Sequence, residues 1–303
     1  MTRIIFMGTP EYAVQILKTL IDDTAVEVVA VYTQPDKPVG RKAIMTPPVV
    51  KVLAQESNIP VYQPTKLRDT VVVEELIAIE CDMIIVAAYG QILPKSILEY
   101  VPCINLHASI LPQYRGASPI QQSLLNNDTQ SGVTAMWMDE GLDTGAIIKI
   151  STLSIAHDEM VESLYERLTK IACELTLDIV HNWDRKNCVA QNESNATNCR
   201  KITKADGLIT FDNADDIFNR YRAFTPWPGI YLESGLKLKE MRLNESHSVG
   251  IAGEIIAIDE ESISVQCEKG SLKLLKVQAP SKQETSAVAY LNGKRLSCGN
   301  TLV

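Results

Sequence analysis

Three runs of apolar residues, each closing on a turn, constrain this chain more than any other feature. Arg3-Ile-Ile-Phe-Met7 ends at Gly8-Thr9-Pro10. Val26-Glu-Val-Val-Ala-Val-Tyr32 ends before a proline-rich stretch, and Asp82-Met-Ile-Ile-Val-Ala-Ala88 ends at Tyr89-Gly90. The runs are apolar almost throughout rather than alternating. They describe strands covered on both faces, as in a parallel sheet flanked by helices. Between the first two runs, Ala13, Val14, Ile16, Leu17 and Leu20 recur at helical spacing over residues 11–21. Strand, helix, strand in that order is a βαβ series with right-handed crossovers. Residues 159–182 read as a long amphipathic helix closing this part of the chain.

The pattern then changes. Residues 184–204 are polar and poor in large apolar side chains, as a linker would be. Beyond them, short apolar stretches at 251–258, 262–267 and 271–277 are separated by Asp259-Glu-Glu261 and Lys269-Gly270. Strands so closely spaced suggest a small all-β barrel. A chain of 303 residues suits two domains. The expected architecture is α/β: a Rossmann-like, mostly parallel sheet in residues 1–183, a linker at 184–204, and a small OB-like C-terminal β-barrel in 205–303.

Composition removes several classes. No run approaches the ~18 apolar residues of a membrane span, and the apolar part of Met1–Gly8 is too short for a signal peptide. Seven cysteines, none at CxxC spacing, suggest neither a disulfide framework nor a zinc site, so reducing cytoplasm is the expected compartment. The net charge of −8 argues by itself against a polyanionic partner. Its distribution is more informative. Residues 1–183 carry 13 Lys and Arg against 22 Asp and Glu, a net of −9, whereas residues 184–204 carry five against two, a net of +3.

Two segments carry candidate chemistry. In Asn105-Leu-His107, alternate residues of a strand face one side, so both side chains reach one point, at a strand end where open α/β sheets bind ligands. In Gly141-Leu-Asp-Thr-Gly145, Asp143 lies in a loop where a carboxylate can be aimed at an imidazole; alone, it would equally suit an Asx-type turn. An amide donates to a developing oxyanion, an imidazole moves a proton near neutral pH, and a carboxylate orients the imidazole. No GxSxG elbow is present, which favours direct transfer over a covalent intermediate. Gly8 permits close backbone approach to a ligand, but the GxGxxG fingerprint is broken, which speaks against a nicotinamide enzyme. Residues 34–49 hold four prolines and one glycine and fit no period. They exceed the usual strand-to-helix loop of about 2–6 residues, so they read as a structureless binding loop.

On these residues the chain resembles the folate-dependent formyltransferases. Asn105-Leu-His107, Ser109-Ile-Leu-Pro112, Tyr114-Arg-Gly116 and Gly141-Leu-Asp-Thr-Gly145 look like the signature of that family, and Phe6–Glu11 resembles its first strand and turn. Gln34–Lys42 is similar to the insertion that grips the tRNA acceptor end in the branch acting on methionyl-tRNA. Arg222–Gly229 resembles the interdomain segment of the same branch. Gln113 and Ala146 stand where the family commonly has a basic residue and an aspartate.

The resemblance implies 10-formyltetrahydrofolate as donor, initiator methionyl-tRNA as acceptor, no metal, no membrane and a monomer. It implies catalysis by Asn105, His107 and Asp143. Ser109, Ile110, Leu111 and Pro112, with Ala88, Tyr89, Gly90 and Ile92, would line the folate site. Lys37, Arg41, Lys42, Lys201 and Lys204 would contact tRNA. A sugar or nucleotide N-formyltransferase with the same donor is the alternative; such enzymes normally lack the 34–49 insertion. A non-catalytic binding module would leave the Asn105, His107 and Asp143 set unexplained.

Overall fold

The first apolar run forms strand β1 (Thr2–Gly8), in which Ile4, Ile5, Phe6 and Met7 are fully buried. Each such side chain contributes roughly 1.5–3 kcal/mol relative to exposure. Helix α1 (Glu11–Asp22) turns Ala13, Ile16, Leu17 and Leu20 inward, and β2 (Val26–Tyr32) returns parallel to β1. There follow β3 (Lys37–Val39), β4 (Ile44–Thr46), α2 (Val49–Glu56), β5 (Val61–Tyr62), α3 (Thr70–Ile77), β6 (Met83–Ala87), α4 (Lys95–Leu98) and β7 (Cys103–His107). After them come β8 (Arg115–Gly116), α5 (Pro119–Leu125), β9 (Gln130–Trp137), β10 (Ile147–Ser154), α6 (Val161–Asn182) and β11 (Asn198–Cys199). This computed structural model describes residues 1–40, 42–182 and 188–302.

The main sheet has the order β10-β9-β7-β6-β1-β2-β5. The strands from β7 to β5 are parallel, and β9 and β10 add an antiparallel edge. The chain winds outward from β1 in both directions, so the strand order reverses between β1 and β6. The crevice at the carboxyl ends of those two strands is where doubly wound sheets place ligands. Gly8 pairs with Ala87 there, and the 8–10 and 88–91 turns leave the sheet side by side. β7 lies next, with Asn105 opposite Val86.

Residues 34–49 are not structureless, as the sequence reading expects. β3 and β4 pair as a short antiparallel hairpin, Lys37 opposite Thr46 and Val39 opposite Ile44. Three-residue strands interrupted by Pro38 are too short to show a period. Gly40 and Ala43 take positive φ at the tip, which closes with Ala43 N–H donating to the Gly40 carbonyl.

By contacts the chain divides into two units. One comprises Met1–Pro119, Gln130–Ile155 and Leu164–Cys199; the other comprises Ile120–Thr129, Ala156–Ser163 and Arg200–Val303. The second unit contains α7 (Ala214–Phe224), β12 (Ile230–Tyr231), β13 (Lys237–Val249), β14 (Ile255–Ile258), β15 (Ile263–Gln266), β16 (Lys269–Gln278), β17 (Thr285–Ser286) and α8 (Ala287–Lys294). Its strands form an antiparallel sheet of order β12-β13-β16-β15-β14, with β17 on β16. The strand expected over 251–258 starts only at Ile255, because Gly253 at φ 83° ends the ladder. Lys269 and Gly270, expected as a turn, open β16 instead, Gly270 at φ 78°. The longest strand, β13, is absent from the sequence reading. Its lysines, glutamates and arginine alternate with Leu238, Met241 and Leu243 across bulges that blur the period.

Gly8 serves packing more than ligand approach. A Cβ there would lie 2.5 Å from Ala13 Cβ, 2.8 Å from Phe6 Cε1 and 2.9 Å from the Ala87 carbonyl oxygen. Gly8→Ala is predicted to cost about 1–3 kcal/mol through overpacking of α1 against β1. A thermal melt should then move down by several degrees, since each kcal/mol shifts Tm by roughly 2–4 °C in domains of this size. An unchanged midpoint would show that α1 yields freely at its first turn.

Candidate active site

Asn105 and His107 occupy the last turns of pleat on β7, two residues apart and on one side of the sheet. Both are buried, at 9% and 6% exposure. Strand β9 fixes their depth, with Asn105 opposite Met136 and His107 opposite Thr134. Tyr12 Oη donates to the Leu106 carbonyl between them at 3.2 Å.

Asp143 meets them from the loop between β9 and β10. Its Oδ1 accepts from Asn105 Nδ2 at 3.2 Å, and its Oδ2 accepts from the Gly116 backbone N–H at 2.9 Å. Oδ2 also lies 3.6 Å from His107 Nδ1. On the other side of the ring, His107 Nε2 is 2.9 Å from the Tyr114 carbonyl. A carbonyl oxygen only accepts, so Nε2 carries a proton. Nδ1 is then the ring atom left to take up or hand on a proton, and it faces a carboxylate. Asn105 Nδ2 has two hydrogens, of which Asp143 takes one. The other is the ready donor for an oxyanion.

The Asx-type turn in this loop belongs to Asp139, whose Oδ1 accepts from Gly141 N–H at 3.0 Å and from Thr144 Oγ1 at 2.7 Å. Asp143 is thereby free of local duty. It sits at φ 55°, an unfavourable conformation for a residue with a Cβ, and must be held there. Gln191 supplies the hold. Its Nε2 donates to the carbonyls of Asp143 and Gly145, both at 2.8 Å. Its Oε1 accepts from Arg115 Nε at 3.0 Å and Nη2 at 2.8 Å. Arg115 completes a two-pronged pair with Glu193, at 3.0 and 2.7 Å. That pairing holds the Glu193 carboxyl below its ordinary range and the guanidinium above its own.

Of these supporting residues, Gln191 and Glu193 come from the polar stretch 184–204. Strand β11 pairs with β8, Thr197 Oγ1 accepts from Tyr114 N–H at 2.9 Å, and Cys199 Sγ donates to the Tyr114 carbonyl at 3.4 Å. Burial pushes the Cys199 thiol up, with Asp143 adding to the shift, so this cysteine stays protonated. Nothing in the sequence singles out Gln191 or Thr197, because a polar tract without period carries no sign of which amide will point inward.

The other expected residues divide by what their side chains can reach. Ser109 and Leu111 are buried and hold the loop: Ser109 Oγ donates to the Gln113 carbonyl at 2.6 Å. Thr134 Oγ1 links the Ser109 carbonyl (2.6 Å) to the Leu111 N–H (3.1 Å). Ile110 and Pro112 are half-buried, and Gln113 is exposed. Ala88 and Gly90 are exposed backbone at positive φ, the Tyr89 ring points into the core, and Ile92 is 74% exposed. Lys37 and Lys42 are exposed on the hairpin, and Lys201 and Lys204 are exposed in the second unit. Arg41 lies outside the described residues, as do Arg185 and Lys186 of the basic stretch. Arg200 is paired with Asp206, which holds that carboxyl far below its ordinary range. Among the described residues, no group of three or more His, Cys, Asp or Glu could hold a metal ion, and no helix is long and apolar enough to cross a membrane.

Comparison with known proteins agrees with this geometry. Residues 2–180 match the family model "Formyl transferase", and residues 201–295 match "Formyl transferase, C-terminal domain". A methionyl-tRNA formyltransferase of Sulfurimonas denitrificans is 57% identical over 300 residues, covering 99% of each chain. One from Nitratiruptor sp. is 52% identical over 301 residues, again 99% of each. Among solved structures, the N-formyltransferase of Helicobacter canadensis, in complex with folinic acid and dTDP-3-aminofucose, superimposes with a TM-score of 0.68 at 19% identity. The match covers 91% of this chain and 99% of that one, a likeness of fold. With its N-terminal and C-terminal halves both matched and its whole length shared with these relatives, the chain belongs to the formyl transferase family, among the methionyl-tRNA formyltransferases.

Proposed function

We propose that this chain transfers the formyl group of 10-formyltetrahydrofolate to the α-amine of initiator methionyl-tRNA, a step of translation initiation in the cytoplasm, and that it acts as a monomer. The observation that carries the reading is the convergence of Asn105, His107 and a strained Asp143 on one buried point, in a chain 57% identical to a methionyl-tRNA formyltransferase along its whole length.

The mechanism follows from donors and acceptors. The amine nitrogen attacks the formyl carbon, and the carbonyl oxygen becomes an oxyanion. The second hydrogen of Asn105 Nδ2 meets that oxygen, and a preorganised donor in a buried site is worth several kcal/mol to the transition state. Collapse of the tetrahedral intermediate breaks the bond from the formyl carbon to the folate nitrogen, so the attacking amine must lose a proton and the departing folate nitrogen must gain one. Asp143 and His107 Nδ1, 3.6 Å apart, are assigned to carry that proton from one nitrogen to the other, so protons taken and returned balance within the site. The products are N-formylmethionyl-tRNA and tetrahydrofolate. Donor binding is assigned to the backbone of Ala88, Tyr89 and Gly90 with Ile92, and to the Ser109–Pro112 loop, of which Ile110 and Pro112 present side chains while Ser109 and Leu111 set the loop's shape. The acceptor end is assigned to the hairpin through Lys37, Arg41 and Lys42, and the flanking tRNA to Lys201 and Lys204. The domain division at 183 and 205 follows the same reading, with residues 188–199 of the stretch between packed on the catalytic unit. The hairpin and the full-length identity favour tRNA over the sugar substrate of the solved relative.

Incubating the protein with formyl donor and, separately, methionyl-tRNA, free methionine or an amino sugar tests the reading. Formylation of methionyl-tRNA is expected, and formylation of the amino sugar alone would overturn it. Asn105→Ala and His107→Ala should each lower kcat by about 10²-fold or more with donor affinity little changed. A kcat near wild type for either would remove that residue from the chemistry. Lys42→Glu should raise the KM for methionyl-tRNA several-fold and leave the KM for the donor unaltered. An unchanged tRNA KM would return the hairpin to the status of a tolerated insertion.

A further inference from the structure

Three neighbouring strands, β2, β1 and β6, end side by side and give onto three turns, around residues 33–36, 8–10 and 88–91. All three turns meet at one atom, the carbonyl oxygen of Tyr89. Thr9 Oγ1 donates to it at 3.2 Å, and Gln34 Nε2 donates to it at 3.0 Å. The residues on either side are left-handed, Ala88 at φ 49° and Gly90 at φ 83°. For alanine that conformation costs on the order of 1–2 kcal/mol, so the turn keeps its shape only while something holds it. The Tyr89 ring, 2% exposed and packed with Tyr32, Leu67 and Leu93, is one hold. The two donors to its carbonyl are the other.

Gln34 is also the root of the hairpin. Gln63 Nε2 donates to the Gln34 carbonyl at 2.8 Å and to Asp36 Oδ1 at 2.7 Å. Lys51 Nζ reaches both oxygens of Asp36 at 2.9 Å. These partners hold the segment from 34 to 36 against α2 and the segment after β5. The hairpin beyond it projects, with Val39, Ile44 and Met45 57%, 62% and 61% exposed. On the far side, Gln91 Oε1 accepts from Leu67 N–H at 2.8 Å and its Nε2 donates to the Pro64 carbonyl at 2.9 Å. A single amide, Gln34, therefore joins the turn assigned to the donor to the hairpin assigned to the tRNA.

We propose that Gln34 is a coupling residue: a folate seated on the 88–91 turn fixes the Tyr89 carbonyl, and Gln34 passes that order to the hairpin. The inference rests on the donor and acceptor assignments made above. Linkage makes it reciprocal, so a tRNA that orders the hairpin also tightens the donor turn. Ordering a projecting element before the second substrate arrives lowers the entropy that substrate must remove. Gln34 touches neither reacting atom; it positions.

Amide hydrogen exchange on the full chain, with and without 5-formyltetrahydrofolate as a donor-site probe, tests the bridge. In the wild type the probe is expected to slow exchange both at 88–91 and across hairpin residues 37–46, the latter by about fivefold or more, the low end of ordinary coupling. Gln34→Ala keeps the backbone carbonyl that Gln63 holds, so the hairpin root stays folded. It should still be protected at 88–91 by the probe and lose the slowing at 37–46. Gln34→Glu, which keeps the length but lacks the N–H, should behave as Gln34→Ala. Thr9→Val removes the other donor without touching the hairpin, and should keep the slowing. Hairpin protection that persists in Gln34→Ala, or a wild-type hairpin indifferent to bound probe, would overturn the bridge. Protection that leaves 88–91 untouched would instead overturn the donor-site assignment, and the bridge with it.

Discussion

The half-buried carboxylate of Asp143 is the interaction around which the catalytic end of this molecule is arranged. An ionised carboxylate removed from water costs several kcal/mol unless its oxygens find donors. Here one oxygen takes the Asn105 amide, and the other takes the Gly116 N–H with His107 beside it. Asn105 and His107 come from β7, Gly116 from the short strand β8, and Asp143 from the loop between β9 and β10. The carboxylate therefore fixes three segments to one another. It also requires a left-handed aspartate, and Gln191 meets that requirement by binding the carbonyls on either side of Thr144 while accepting from Arg115.

The sheet supplies the rest by geometry. Reversal of strand order between β1 and β6 opens a crevice at their carboxyl ends, and β7 delivers its amide and imidazole beside it. The family signature around Ser109–Pro112 then reads less as a row of ligand contacts than as a scaffold. Ser109 and Leu111 are spent on hydrogen bonds that set the loop, through Thr134 and the Gln113 carbonyl. The Tyr114 carbonyl, to which His107 donates, is positioned at the end of that loop.

Much of this was legible in the chain. Continuous apolar strands announced the parallel sheet, because burial on both faces leaves no room for polar alternation. Asn105 and His107 were legible as a pair because a strand repeats every two residues. Asp143 was visible only as one of two readings, and Asp139 turned out to make the local turn. The hairpin at 37–46 escaped because three-residue strands have no measurable period. β13 escaped because its bulges shift the register of an otherwise alternating pattern. Gln191 and Gln34 were illegible for a deeper reason. A single amide that bridges two loops leaves no trace in local propensity, and only the assembled fold shows what it holds.

In this mechanism Asp143 acts in the chemistry and not only in the architecture. The direct measurement is the single-turnover rate of methionyl-tRNA formylation by Asp143→Asn, alongside donor affinity and the thermal midpoint of the same variant. Asparagine keeps an oxygen to accept from Gly116 N–H and turns its NH2 toward Asn105, whose amide can flip to accept from it, so the loop should stay in place, while the charge beside His107 Nδ1 is gone. The predicted result is a rate lower by about 10²-fold or more, as for loss of a proton-handling group, with the donor bound and the fold intact. A rate within a few-fold of wild type would show that the carboxylate only braces the site, and would contradict the mechanism.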